Sequence, residues 1–167
     1  MKFNLGDNTW VEQNSNLLKL LIPVKDAKAF PANSFTYDSV LFLPDQSSIT
    51  VRKDFTQTDF ENFKKQKKVD PRFEAWICSG KIKSSFFVAR SKKENDRYQK
   101  LGSKGSKKVA KLIIDQKIPS YARNSLPLIL NQLGEILWIP GFPPSEKYKV
   151  DHHSTKVIRL TYSPSPT

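Results

Sequence analysis

Cysteine is almost absent from this chain: Cys78 is the only one among 167 residues. An intramolecular disulfide is therefore excluded, and the plain expectation for Cys78 is a buried thiol. Histidine is as scarce, with His152 and His153 adjacent and no other. Neighbouring residues on a strand point to opposite faces, so Asp151-His152-His153 reads as a polar loop rather than a metal site. No apolar run approaches the ~18 residues of a membrane-spanning helix. Met1 to Trp10 is polar and mixed, unlike a signal peptide. A soluble, cytoplasmic protein with no membrane partner is the expectation.

Negative charge is the other shortage. The chain carries 28 Lys and Arg against 16 Asp and Glu, a net +12. Between Lys64 and Lys117 stand seventeen basic and five acidic residues, which is again +12, so the remainder is neutral. A basic block confined to one third of a neutral chain is the electrostatic footprint of nucleic-acid binding. The competing reading is a solvated lysine surface that serves solubility. Although only 38% of residues are hydrophobic, eleven Phe, five Tyr and three Trp argue for a packed core.

The densest part of the basic block is Arg97-Tyr98-Gln99-Lys100-Leu101-Gly102-Ser103-Lys104-Gly105-Ser106-Lys107-Lys108, which leads into an amphipathic segment, Val109 to Asp115. Val109, Leu112 and Ile113 share one helical face, while Lys107, Lys108 and Lys111 gather on another. Two glycines, small polar residues and lysines at the mouth of a helix describe a place to hold phosphate, with unpaired first-turn N–H groups and a favourable dipole. No nucleophile, base or metal cage accompanies it. Nor is it a Walker loop, because two residues separate its glycines where that loop needs four.

Elsewhere the pattern is mostly of period two. Asn16 caps a short apolar segment, Leu17 to Ile22, that Pro23 ends, and Pro31 to Ser34 reads as a linker. Phe35 to Leu43 and Ile49 to Lys53 read as a hairpin around Pro44-Asp45, and Thr58 to Lys68 as a lysine-rich helix or turn. Trp76-Ile77-Cys78 and Phe86-Phe87-Val88 read as two strands around the turn Ser79-Gly80. Leu128 to Leu130 and Ile136 to Ile139 flank a tight connection at Gly134, and Val157 to Tyr162 is a last strand. With strands outnumbering helices, the expected fold class is α+β. Four parts follow: 1–34 as an N-terminal segment and linker, 35–87 as a β-rich leading part, 88–163 as the core and 164–167 as a tail.

The segment from Val88 to Tyr162 resembles the C-terminal domain of tRNA(Ile)-lysidine synthase. The likeness is carried by Arg90, by Asp96-Arg97-Tyr98 and by Leu101-Gly102-Ser103-Lys104-Gly105-Ser106-Lys107-Lys108. It continues through Ile114-Asp115-Gln116-Lys117-Ile118-Pro119, Leu126-Pro127-Leu128 and Gly134-Glu135-Ile136-Leu137-Trp138-Ile139-Pro140-Gly141. Asn95 departs from it, standing where the family usually has glycine. After Pro119, Arg123 alone keeps a positive charge in a segment that usually carries more arginine.

This resemblance implies a β-rich, sandwich-like domain with short flanking helices, shared with a module of the phenylalanyl-tRNA synthetase β subunit. It implies a tRNA-docking piece, facing the acceptor stem of an isoleucine tRNA, of an enzyme that joins lysine to the wobble cytidine. ATP and free lysine would bind an N-terminal catalytic domain, a partner whose Ser-Gly-Gly-x-Asp-Ser loop has no counterpart in this sequence. The chain is thus expected to be a C-terminal piece that holds no cofactor and makes no lysidine alone. Lys104, Lys107, Lys108 and Lys111 are the first choices for phosphate contact, helped by the N–H groups of Gly105 and Ser106. Arg90 and Arg97 come second, with an ion pair to Asp96 or Asp115 as the competing role of Arg97, and Arg123 is a further candidate for RNA contact. Lys64, Lys65, Lys67 and Lys68 read as a solvated face that could reach the same RNA. Tyr98 and Tyr121, flanked by polar residues, are candidates to stack on bases, whereas Trp138 reads as core. The alternative function is an autonomous tRNA-acting enzyme, such as an editing hydrolase, for which no general base stands out. A generic DNA reader would need a longer and more polar helix than residues 109–115.

Overall fold

The structure is a computed structural model, and it describes residues 2–4, 10–14, 17–21, 28–66 and 68–166. In chain order the elements are β1 (Lys2–Asn4), β2 (Trp10–Asn14), β3 (Leu17–Leu21), β4 (Asn33–Phe35), β5 (Val40–Phe42), β6 (Ser48–Phe55) and α1 (Gln57–Lys65). There follow β7 (Glu74–Cys78), β8 (Phe87–Arg90), β9 (Arg97–Tyr98), β10 (Lys107–Lys108), α2 (Val109–Asp115), β11 (Leu128–Asn131), β12 (Ile136–Trp138) and β13 (Val157–Ser163).

Two four-stranded antiparallel sheets face each other, one in the order β5-β6-β13-β7 and the other in the order β12-β11-β8-β4. Alternation along each strand sends one set of side chains inward. Ile49, Val51, Ala75, Ile77, Ile158 and Leu160 of the first sheet pack against Phe35, Phe87, Ala89 and Ile129 of the second. Residues from both sides of position 88 therefore share one core. The outer face of the second sheet, with Leu128 and Leu130, is covered by Tyr98 and by Val109, Leu112 and Ile113 of α2. The outer face of the first is covered by α1, whose Phe60 and Phe63 lie against Trp76, with centroids 5.8 and 5.0 Å away. The result is the expected α+β sandwich flanked by short helices.

Capping fixes both helices. Thr56, two residues before the expected start, caps α1 in a box: Asp59 N–H donates to Thr56 Oγ1 and Thr56 N–H to Asp59 Oδ2. α2 ends in a Schellman motif, with Lys117 N–H donating to Ile114 O and Ile118 N–H to Ile113 O. Lys117 takes the left-handed position there at φ 58°, a place glycine usually fills.

Three expectations are corrected. Leu17–Leu21 is a strand, paired antiparallel with β2 from Trp10↔Leu21 to Asn14↔Leu17. A segment that short cannot hold a helix alone, and the neighbouring strand decides. The proposed cap Asn16, together with Ile22 and Pro23, lies outside the described residues. The linker 31–34 instead contributes Asn33 and Ser34 to β4, which pairs with β8. Finally, β7 and β8 do not pair around Ser79-Gly80. Ser79 N–H donates to Lys156 O, so the chain keeps following β13 before it crosses to the other sheet.

Candidate nucleic-acid interface

The basic motif is a small β-ribbon. β9 and β10 pair antiparallel as Lys107↔Tyr98 and Lys108↔Arg97, and the loop 99–106 closes them. Strand alternation turns Tyr98 inward, where it is 3% exposed and its hydroxyl donates to Pro143 O at 2.6 Å. Tyr98 is therefore a core residue and not a stacking platform. Its polar neighbours, which suggested exposure, simply point the other way. Arg97 does point out, and its Nε and Nη2 donate to Ser106 Oγ (3.1 Å) and Ser106 O (2.8 Å).

The loop is pinned rather than free. Leu101 N–H donates to Pro144 O, Gly102 N–H to Glu146 Oε2 at 2.8 Å, and Gln99 Nε2 to Ser103 O. Ser103 N–H closes a turn onto Lys100 O, and Gly102, third in that turn, has φ +82°. Gly102 is thus required by a type II turn. Gly105 has no positive φ and nothing within 4 Å of where a Cβ would stand, so its backbone is open. The N–H groups of Gly105 and Ser106 have no acceptor among the described residues.

The helix mouth differs from expectation. α2 has seven residues, and the N–H of Val109 already donates to Asp96 O at 2.9 Å. Lys107 and Lys108 lie on the ribbon before it. Whatever grip this region has on an anion comes from side chains and the loop, not from a helix dipole.

Those side chains divide into two groups. Lys104, Lys107, Lys108 and Lys111 are exposed, and none has an ion-pair partner among the described residues. Arg90 is instead turned inward, its guanidinium gripping Asp96 through Nη1 (2.7 Å) and Nη2 (2.8 Å). Asp96 also accepts Lys93 N–H, and this anchors the 91–96 turn. Burial pushes the Asp96 carboxyl up, but Arg90, then the Lys93 N–H and both charges, outweigh it and hold it below the usual range. So the ion pair considered for Arg97 belongs to Arg90. Asn95 accepts its place in this turn without a positive φ, so no glycine is needed there. Arg123 is half-buried, with Nε donating to Ile118 O.

Other candidates fall as follows. Trp138 is fully buried, its indole N–H donating to Phe142 O. Tyr121 is 42% exposed. His152 and His153 lie exposed in a turn beside Asp151, whose carboxylate is paired with Lys81. Lys64, Lys65 and Lys68 are exposed, while Lys67 lies outside the described residues.

One feature escaped the sequence. A cleft of about 340 Å³ lies between Asn95–Gln99, the Gly134 turn and Ser145–Tyr148. In it Glu135 accepts hydrogen bonds from Lys147, the Tyr148 hydroxyl and Asn131 Nδ2. Lys147, then Tyr148 and Asn131, hold its carboxyl down to about 2. A carboxylate so firmly ionised is a poor general base near neutral pH. Tyr148 is shifted upward, first by burial and then by Glu135. Asn131 and Glu135 are four residues apart across a visible turn, but nothing in the spacing points to Tyr148.

Residues 87–161 match the family described as the TilS substrate C-terminal domain. This segment is a TilS C-terminal domain. Its bounds agree within one residue with those carried by the motifs. The chain is 40% identical over 84 residues to the tRNA(Ile)-lysidine synthase of Caldanaerobacter subterraneus subsp. tengcongensis, covering 50% of this chain and 17% of that protein. It is 44% identical over 71 residues to the enzyme of the same name from Clostridium tetani, covering 42% of this chain and 15% of that one. The chain thus spans a small part of the length of these relatives. A crystal structure of a TilS C-terminal domain superposes with a TM-score of 0.64 at 21% identity, over 82% of this chain and all of that one. The TilS-like fold therefore reaches beyond the matched segment into the leading β-rich part. Among the described residues no helix is long and apolar enough to cross a membrane.

Proposed function

We propose that this chain is the tRNA-docking part of a tRNA(Ile)-lysidine synthase and holds the acceptor-stem region of an isoleucine tRNA in the cytoplasm. ATP and lysine are assigned to an N-terminal catalytic domain, and the chain's own task is to bind and position. One observation carries the reading: four lysines within eight residues, on the loop, ribbon and first helical turn of the TilS C-terminal segment, are exposed without acidic partners among the described residues.

The deep major groove of A-form RNA is closed to side chains, so a protein docks on phosphates, 2′-hydroxyls and helix ends. Lysines meet phosphates as point charges and gain by counterion release, which needs no fixed geometry. Shape selectivity must come from a rigid frame, and the pinned loop supplies one. The Gly102–Glu146 and Leu101–Pro144 hydrogen bonds fix Lys104 relative to the sheets, while Arg97 holds Ser106 and with it the open N–H groups of the loop. Arg90 supports that surface from below by fixing the turn through Asp96 and does not itself reach RNA.

The test compares an acceptor-stem minihelix of the isoleucine tRNA with a DNA duplex of equal charge at two salt concentrations. Preference for the minihelix that survives the higher salt supports docking by shape. Equal binding, lost steeply with salt, reduces the surface to counterion release and contradicts selective docking.

A further inference from the structure

Beside the pinned loop, at Leu101, lies a second cleft of about 370 Å³. Its walls are Phe60 of α1, Trp76 of β7, and Leu101, Pro143, Pro144 and Val150 from the loops. This volume lies in the range of small-ligand sites and far exceeds what one water needs. Leu101 is 40% exposed although apolar, and its backbone is fixed there by the bond to Pro144 O and by the Gly102 turn. A bulky apolar side chain is thus held rigidly at the rim of an apolar, aromatic-lined groove.

Charge indicates the occupant. Lys64 lines the cleft on the α1 side, with its ammonium 5.9 Å from the Phe60 ring centroid, and exposed Lys65 and Lys68 follow it. Lys149, paired with Glu146, also lines it, and three residues beyond Leu101 comes Lys104. Of the two acids that line the cleft, Glu74 is buried and paired with Arg159, which leaves Glu61. The groove is therefore flanked by Lys64 and Lys149 and meets, at Leu101, the loop that carries Lys104. Aromatic or apolar walls between lysines form the arrangement that holds a single-stranded nucleic acid, phosphates on the cations and a base in the groove.

We propose that this cleft takes an unpaired base of the docked RNA. A base inside a duplex has no free face to offer, so the occupant belongs to a single-stranded stretch next to the bound helix. The inference rests on the docking function proposed above and adds to it a place where the RNA must be unpaired.

Two RNA hairpins test it, alike except that the short 3′ single-stranded extension carries bases in one and abasic sugars in the other. Their phosphate charge is equal, so counterion release cancels. The wild-type chain is expected to bind the base-bearing hairpin about tenfold more tightly, the weight of one stacked base. Leu101→Gln and, separately, Phe60→Leu are expected to abolish that difference while binding of the abasic hairpin is kept. Lys107→Gln with Lys108→Gln should weaken both hairpins alike. Equal affinity of the wild type for the two hairpins, with both still weakened by Lys107→Gln and Lys108→Gln, overturns the base site and leaves the docking function standing. The cleft would then suit an apolar side chain of a protein. Binding of both hairpins that ignores the Lys107 and Lys108 changes overturns the docking function, and the base site falls with it.

Discussion

Arg90 and Asp96 meet in a two-pronged ion pair, Nη1 to Oδ2 at 2.7 Å and Nη2 to Oδ1 at 2.8 Å, with each side chain only 12% exposed. The pair joins the end of β8 to the start of β9, and Asp96 O also receives the N–H of Val109. One acidic residue thus sets the strand, the ribbon and the helix that carry the basic face.

Asp96→Asn is accordingly expected to destabilise the fold by about 3 kcal/mol, because it strands the Arg90 charge in a largely buried place. Asp96 lies below its usual value when folded, so its contribution is complete above the unfolded value of 3.8 and is lost as the pH falls through the folded one. Thermal unfolding followed against pH checks both statements. A variant as stable as the wild type at neutral pH would show that the pair holds nothing.

Glu135 gives a second acid-sensitive contact. Its carboxyl is held near 2 against an ordinary 4.5, chiefly by Lys147 and then by Tyr148 and Asn131. The stability it adds is therefore present above pH 4.5 and fades as the pH falls toward 2. The gap in melting temperature between wild type and Glu135→Gln should stay constant from pH 7 to about 5 and close below that. A gap that widens on acidification would contradict the arrangement.

Backbone conformation separates three positions in one short stretch. Gly102→Ala forces a Cβ into the left-handed region and should cost about 1 kcal/mol, whereas Gly105→Ala should be neutral in stability. Lys117→Gly should stabilise by up to about 1 kcal/mol, since Lys117 holds a left-handed position that glycine takes without strain. Denaturant unfolding of the three variants checks the order.

The two described tryptophans of the core offer a comparison. Trp138 Nε1–H donates to Phe142 O, whereas the buried Nε1–H of Trp76 has no partner among the described residues. Trp138→Phe should cost more than Trp76→Phe, by roughly 1–2 kcal/mol, because only the first leaves a buried carbonyl unpaired. Equal losses in equilibrium unfolding would contradict this.

Much of the architecture was legible because it is local. The β11–β12 hairpin announces itself through apolar strands around Gly134, which takes φ +81°. The buried face of α2 follows from the spacing of Val109, Leu112 and Ile113. What stayed hidden depends on distant partners. The parting of β7 from β8 is decided by β13, some eighty residues along the chain. Leu17–Leu21 is a short apolar run that suits either helix or strand until β2 lies beside it. Tyr98 looks exposed in the sequence because period two surrounds a buried strand residue with exposed polar neighbours. As for the site, the exposed lysines could be read from the sequence and the inward turn of Arg90 could not, since its charge looks the same whether it faces water or Asp96.

The central claim is that the lysines of the ribbon hold RNA phosphates. It is tested most directly by the salt dependence of binding to the isoleucine acceptor-stem minihelix, measured for the wild type and for Lys107→Gln with Lys108→Gln. Loss of two phosphate contacts should lower affinity and flatten the slope of log affinity against log salt by about 2. An unchanged slope and affinity would mean that these lysines face only water, and the docking surface would have to be sought elsewhere on the fold.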